Sequence, residues 1–136
     1  MSDDRTRELR EDVARRVEAV EAAYELMLAY AAQGAASDAA VSSGSQLREF
    51  LKRFDEALDG LSQTFGALIA AEGRPADVYE PYLEVLARDA AATRAGLRVV
   101  RAQPGISSQL IDNLNASIHV RALLTDVFLI DELLKG

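Results

Sequence analysis

The sequence predicts an all-α fold, an up-down-up-down antiparallel four-helix bundle with long helices. Three observations lead to that prediction. Apolar side chains recur at spacings of three and four through most of the 136 residues, turn-forming segments divide the chain into four stretches, and 49% of the residues are hydrophobic. The spacing places apolar residues on one stripe of a helix, and such stripes must be buried against each other. We therefore expect residues 1–136 to form a single helical-bundle domain.

The first predicted helix covers residues 3–33. Asp3 and Asp4 can cap its free backbone amides and favour the positive end of the helix dipole, and Gly34 stands where a left-handed C-terminal cap is expected. The stripe of this helix consists of Val13, Val17, Val20, Tyr24, Met27 and Ala31. The small and polar segment 34–45 that follows predicts a flexible loop.

The second predicted helix covers residues 45–72. Its stripe consists of Leu47, Leu51, Phe54, Leu58, Leu61, Phe65 and Leu68. Gly60 and Gly66 lie inside it, and a glycine within a helix indicates a kink or a close approach by another backbone.

The third predicted helix covers residues 78–102, with Asp77 as its cap and Pro81 in its first turn, where a missing amide hydrogen costs least. Its stripe consists of Leu83, Leu86, Ala90, Thr93, Leu97 and Val100. Its middle is rich in small residues, namely Ala87, Ala90, Ala91, Ala92, Ala95 and Gly96. These residues favour close helix packing, and the alternative is a ligand pocket facing the glycines of the second helix.

The fourth predicted helix covers residues 107–134, and its apolar stripe changes phase near His119. The first half is apolar at Leu110, Ile111, Leu114 and Ile118, whereas the second half carries apolar residues on two faces. A helix that is apolar nearly all round is buried nearly all round. We therefore predict an interaction surface made of Val120, Leu123, Leu124, Val127, Phe128, Ile130 and Leu134. The alternative is a kink near His119 or cover by the first helix.

The charge balance restricts the partners. The formal net charge of −7 opposes binding to phosphate backbones or to anionic lipid, so we expect neither a nucleic-acid nor a membrane partner.

The absence of cysteine excludes disulfides, zinc–thiolate sites and iron–sulfur clusters. No apolar run approaches the roughly 20 residues that span a bilayer, and the charged N-terminus does not resemble a signal peptide, so we expect a cytoplasmic protein.

His119 is the only histidine and the only candidate for chemistry. Without a second histidine in a Glu-x-x-His pair the di-iron bundle site is absent, and we predict no metal and no cofactor. An exposed imidazole on a helix can accept a phosphoryl group, which makes histidine phosphotransfer through His119 an alternative function. An ordinary surface or interface histidine is the simpler interpretation.

Two charged stripes also fall on helix faces. Glu18, Glu21 and Glu25 on the first helix are interpreted as a solvated face. The second stripe is basic and lies near the end of the third helix; it consists of Arg94, Arg98 and Arg101. We interpret these arginines as complementing the helix dipole, and the alternative is an anion or acidic-partner site.

The sequence contains no glycine-rich phosphate loop, nucleophile elbow or paired acid and base, so we predict that the protein is not an enzyme. The predicted function is a helical protein-interaction module with an adaptor, chaperone-like or regulatory role. Its partner is expected to be a second copy, giving a homodimer through the last helix, or another helical protein. The alternatives are histidine phosphotransfer and a small-ligand carrier using the alanine- and glycine-lined centre.

Overall fold

The computed structural model of the chain describes residues 2–135, and within this range the secondary structure is entirely helical. It contains six α-helices: α1 (Ser2–Ala32), α2 (Gly44–Leu58), α3 (Leu61–Ala71), α4 (Ala76–Arg101), α5 (Ser108–Ala116) and α6 (Ile118–Lys135). A short 3-10 helix, Asp38–Ala40, lies between α1 and α2. The all-α class is confirmed, but the second and fourth predicted helices are each two helices.

The break between α2 and α3 lies at Gly60, which adopts a left-handed conformation with φ of 76°. Residues with a Cβ atom rarely adopt this conformation, so the glycine has a backbone role there. Arg16 of α1 donates from Nη1 to the carbonyl oxygens of Ala57 and Asp59, which the ending helix leaves without helical partners. The predicted kink at a glycine of this helix is therefore a complete interruption.

The break between α5 and α6 lies at Ser117, whose backbone is extended with ψ of 145°. The Ser117 hydroxyl oxygen accepts a hydrogen bond from the Val120 amide at 3.3 Å and so caps the start of α6. Because the chain changes direction here, the stripe of α5 and the stripe of α6 both face the core. The alternative of a kink near His119 thus explains the phase change.

One cluster of buried side chains fills the space between the helices. Helix α1 packs against α2, α3 and α5, while α4 packs against α2, α3 and α6. Two contacts orient α1: in its first half Arg10 bonds to Glu72 at the end of α3, and near its end Tyr30 bonds to Ile106 just before α5. Phe54 and Phe65 are fully buried at the centre.

Side-chain hydrogen bonds join the segment 34–45, which the sequence predicts to be a flexible loop, to the neighbouring helices. The Ser108 hydroxyl donates to the Tyr30 carbonyl at 2.6 Å and accepts from the Ala35 amide at 2.8 Å. The Asp38 carboxylate accepts from Arg48 and from the Ile106 amide. This end of the molecule is therefore closed by bonds between α1, α2 and the start of α5.

Within residues 2–135 no helix is long and apolar enough to cross a membrane.

Candidate interaction site

The fold places most of the predicted interaction surface in the core. Its buried members are Val120, Leu123, Leu124, Val127 and Ile130, which the chain's own helices cover. Phe128 remains at the surface with 36% of its area exposed, and Leu134 is half-buried against the core. The predicted surface is thus corrected: five of its seven side chains cannot reach a partner while the chain is folded in this way.

A different apolar stripe of α6 faces outward. Ile118, Leu129 and Leu133 are 75%, 47% and 46% exposed, and Ala122 lies between them. Their separations of four, seven and four residues place them on one side of the helix, opposite the buried stripe. We call Ile118, Ala122, Leu129 and Leu133 the outer α6 stripe.

Helix α4 continues this apolar surface beside α6. Its residues at intervals of seven, all exposed or half-buried, are Val78, Val85, Ala92 and Val99. On α4 the side chains of Tyr82 and Thr93 bond to α6. Val78, Val85 and Ala92 each lie within about one turn of one of these two residues, whereas Val99 lies six residues beyond Thr93. A surface cleft of about 370 Å³ lies along α6, lined by Ile118, Arg121, Ala122, Thr125 and Asp126.

A buried carboxyl group lies at the contact of α4 and α6. Asp126 is 5% exposed, and its Oδ1 accepts a hydrogen bond from the Tyr82 hydroxyl at 3.0 Å. Its Oδ2 is buried without a partner. Burial, together with the neighbouring Asp89 carboxyl, raises the pKa of Asp126 to about 7. The Asp126 carboxylate in turn adds to the effect of burial and raises the pKa of Tyr82 to about 12.

His119 is exposed at the start of α6, with its backbone carbonyl accepting from the Thr93 hydroxyl at 3.1 Å. Arg121, two residues later, is also exposed. The imidazole therefore satisfies the accessibility that phosphotransfer requires. The buried cluster of α6 and α4 lies on the other side of the helix and does not include it.

The arginine stripe of α4 has an internal partner. Arg94, Arg98 and Arg101 converge on the buried Asp55 of α2, with closest nitrogen–oxygen distances of 2.7, 3.6 and 3.3 Å. Arg94 also pairs with Asp59 at 3.2 Å. The three cations thus hold α4 against α2, a role that their spacing on one helix did not indicate.

Neither the acidic stripe of α1 nor the small residues of α4 form a site in this structure. Glu18, Glu21 and Glu25 are exposed, and within residues 2–135 no group of three acidic or histidine side chains has the geometry of a metal site. A Cβ atom at Gly66 would lie 3.5 Å from Leu83, and one at Gly96 would lie 3.7 Å from Leu114. Leucine side chains therefore pack on both glycines.

A cleft of about 720 Å³ lies where the start of α1 meets the ends of α3 and α6. Glu72 at its rim accepts from Arg10 at 2.6 Å and from Arg74 at 2.7 Å. Burial opposes ionisation of Glu72, but the two guanidinium groups outweigh it and hold the pKa of Glu72 below its usual value. Lys135 pairs with Asp131 at 3.3 Å, so the basic groups of this cleft already have partners.

The outer α6 stripe is thus the extended apolar surface of α6 that the fold leaves uncovered. Comparison with protein-family models, with curated proteins and with solved structures gives no match to this chain.

Proposed function

We propose that the protein is a non-enzymatic helical interaction module that forms a homodimer through the outer α6 stripe. The observation that favours this function is the alignment of Ile118, Leu129 and Leu133, each with about half or more of its surface exposed, on one side of one helix. Exposed apolar side chains that share one side of a helix favour association because burying them removes apolar surface from water. This keeps the predicted self-association through the last helix and changes the residues that perform it.

The spacing of the stripe is suited to pairing with a second copy. Read in either direction along α6, the separations are four, seven and four residues, so the stripe has the same pattern from both ends. Two copies of α6 packed antiparallel about a twofold axis place Ile118 opposite Leu133 of the other copy and Ala122 opposite its Leu129. Ala122 leaves room for Leu129, which gives the complementary shapes that close helix packing requires.

The charges beside the stripe match the same arrangement. Arg121 and Glu132 are both exposed and are eleven residues apart, which places them on one flank of α6. In the antiparallel pair Arg121 of each copy lies near Glu132 of the other. The twofold axis therefore creates two equivalent ion pairs between the copies. Charge complementarity of this kind fixes register and orientation more than it adds affinity.

The oligomeric state in solution tests the proposal. Sedimentation or light scattering should give twice the monomer mass, and Leu129→Asp should give a monomer with unchanged helical content. Leu28→Asp is the matched control, because Leu28 is equally exposed at 47% but lies on α1. A wild-type chain that stays monomeric at high micromolar concentration contradicts the proposal.

We infer that the helices form a four-segment bundle with up-down-up-down order. In this arrangement α2 and α3 together form the second segment, and α5 and α6 together form the fourth. The packing of α1 against α3 and α5, and of α4 against α3 and α6, supports this order. The cytoplasmic localisation remains a prediction from the sequence.

Histidine phosphotransfer remains the second candidate because the His119 side chain is exposed. Incubation with a phosphodonor kinase or with phosphoramidate would label wild-type protein and leave His119→Gln unlabelled. Absence of acid-labile label on the wild type contradicts this candidate and leaves the interaction module unaffected.

A further inference from the structure

Asp126 is one of four buried polar or charged residues in the described part of the chain, and its carboxyl group lacks a hydrogen-bond donor for one oxygen. One oxygen accepts from Tyr82, while the other is enclosed without a donor. The carboxyl of Asp89, on α4, lies within hydrogen-bonding reach. Two ionised carboxylates in contact repel each other and neither can donate, so an ionised pair leaves Asp126 Oδ2 unsatisfied.

A single proton resolves this conflict. When Asp126 is protonated on Oδ2, that oxygen donates to the Asp89 carboxylate while Oδ1 still accepts from the Tyr82 hydroxyl. Both oxygens of Asp126 are then satisfied, and the site holds one negative charge instead of two. The arrangement links α6 to two positions on α4 that are seven residues apart.

We propose that Asp126 and Asp89 share one proton that holds α6 against α4, and that loss of this proton loosens the contact between the two helices. The inference is independent of the proposed function, because it concerns contacts within one chain. It gives the fold a proton-dependent contact at the helix that carries the outer α6 stripe.

The groups around Asp126 support this inference. On α4 they are Tyr82 and Asp89, and on α6 itself Arg121 lines the same surface cleft. Helices α1 and α5 also pack against α6, and no charged group on either acts on the Asp126 carboxyl. No ion pair joins Asp89 or Asp126 to a basic side chain within residues 2–135, so the proton is the cation that balances this pair.

The pH dependence follows from the direction of the shift. The folded chain keeps the Asp126 proton up to a pKa of about 7, whereas the unfolded chain loses it near the ordinary value of 3.8. Between these values the folded state binds more protons, so this carboxyl stabilises folding less as the pH rises. The loss is complete above about pH 7.

Urea unfolding at about pH 5 and about pH 9, on either side of the Asp126 pKa, tests the proposal. The wild-type midpoint should fall at the higher pH, and amide hydrogen exchange in α6 should accelerate relative to α2. Asp126→Asn should remove most of this pH response, because its amide donates to Asp89 at any pH. Asp112→Asn, which changes an exposed carboxylate on α5, should respond as the wild type does.

A direct titration keeps the test decisive even if Asp126→Asn fails to fold. The carboxyl carbon of Asp126 in the wild type should titrate near neutral pH by NMR, and Asp89→Asn should move its midpoint to lower pH. Titration of Asp126 in the ordinary acidic range overturns the proposal. An equal pH response of wild type and Asp126→Asn overturns it as well.

Discussion

Nε of Arg48 lies 2.5 Å from Oδ2 of Asp38, and this ion pair joins the start of α2 to the segment that follows α1. The same guanidinium donates to the carbonyl oxygens of Arg101 at 3.1 Å and Gln103 at 2.9 Å, at the end of α4. The same carboxylate accepts from the Ile106 amide at 2.8 Å. Two side chains therefore connect α2 to the segment between α1 and α2 and to the segment between α4 and α5 at one end of the molecule.

Replacing Asp38 by Asn should destabilise the fold, because the substitution removes the charge that Arg48 pairs with and weakens the acceptor for the Ile106 amide. We expect a loss of ~1–2 kcal/mol in the free energy of unfolding, discounted for the partial exposure of the pair. Urea denaturation at neutral pH measures it. Asp112→Asn serves as the control for loss of one exposed charge.

The same carboxylate should contribute to acid sensitivity. The hydrogen bond from Arg48, followed by that from Ile106, lowers the pKa of Asp38 to about 2. Because the folded value lies below the ordinary 3.8, the stabilisation is present above about pH 4 and is lost as the pH falls towards 2. Asp38→Asn should therefore lose less stability than the wild type over this range. Parallel curves for the two proteins would contradict the assignment.

Gly44→Ala should be among the most damaging small substitutions in the chain. A Cβ atom at this position would lie 1.8 Å from the Asp38 carbonyl oxygen and 2.6 Å from its carbon, so the backbone must move. We expect a loss of about 3 kcal/mol or more in the free energy of unfolding. Gly66→Ala is the matched control, since its Cβ would meet only Leu83 at 3.5 Å and alanine favours a helix by up to about 1 kcal/mol. Equal stability of the two variants would contradict the packing described at Gly44.

Two aspartate substitutions on α6 should separate folding from association. Val127 is fully buried, and a carboxylate in its place should unfold the chain, at a cost of ~3–5 kcal/mol. Leu129, two residues later, faces outward, and Leu129→Asp should dissociate the dimer while the circular dichroism spectrum stays helical. Dissociation without unfolding by Val127→Asp would show that the stripe predicted from the sequence, including Leu123, forms the interface after all.

The sequence predicted the helical class and the extent of the two uninterrupted helices to within two residues, because amphipathic periodicity is a local property. The glycine at position 60 indicated an irregularity in the second predicted helix. It did not indicate a full break, because the break depends on the left-handed backbone of Gly60 and on hydrogen bonds from Arg16 of another helix. The break at Ser117 had no glycine or proline to mark it. The change of apolar phase was its only trace, and periodicity alone cannot distinguish a kink from a second exposed face.

The candidate site depended still more on tertiary contacts. Whether Val127 or Leu129 faces outward depends on where α4 and α1 lie, which one helix cannot show. The convergence of the α4 arginines on Asp55 depends on the position of α2. Tyr82 and Asp89 are seven residues apart and so share a face of α4, but only the packed structure shows Asp126 opposite them.

A charge exchange across the proposed twofold axis most directly tests whether two copies pair antiparallel through α6. The dimer dissociation constant, measured by sedimentation, should rise roughly tenfold for Arg121→Glu and for Glu132→Arg, because each substitution places like charges in contact twice per dimer. The combined variant Arg121→Glu with Glu132→Arg should return to near the wild-type value, since it restores both pairs with the signs exchanged. A combined variant that is no tighter than the single ones would contradict antiparallel pairing through α6.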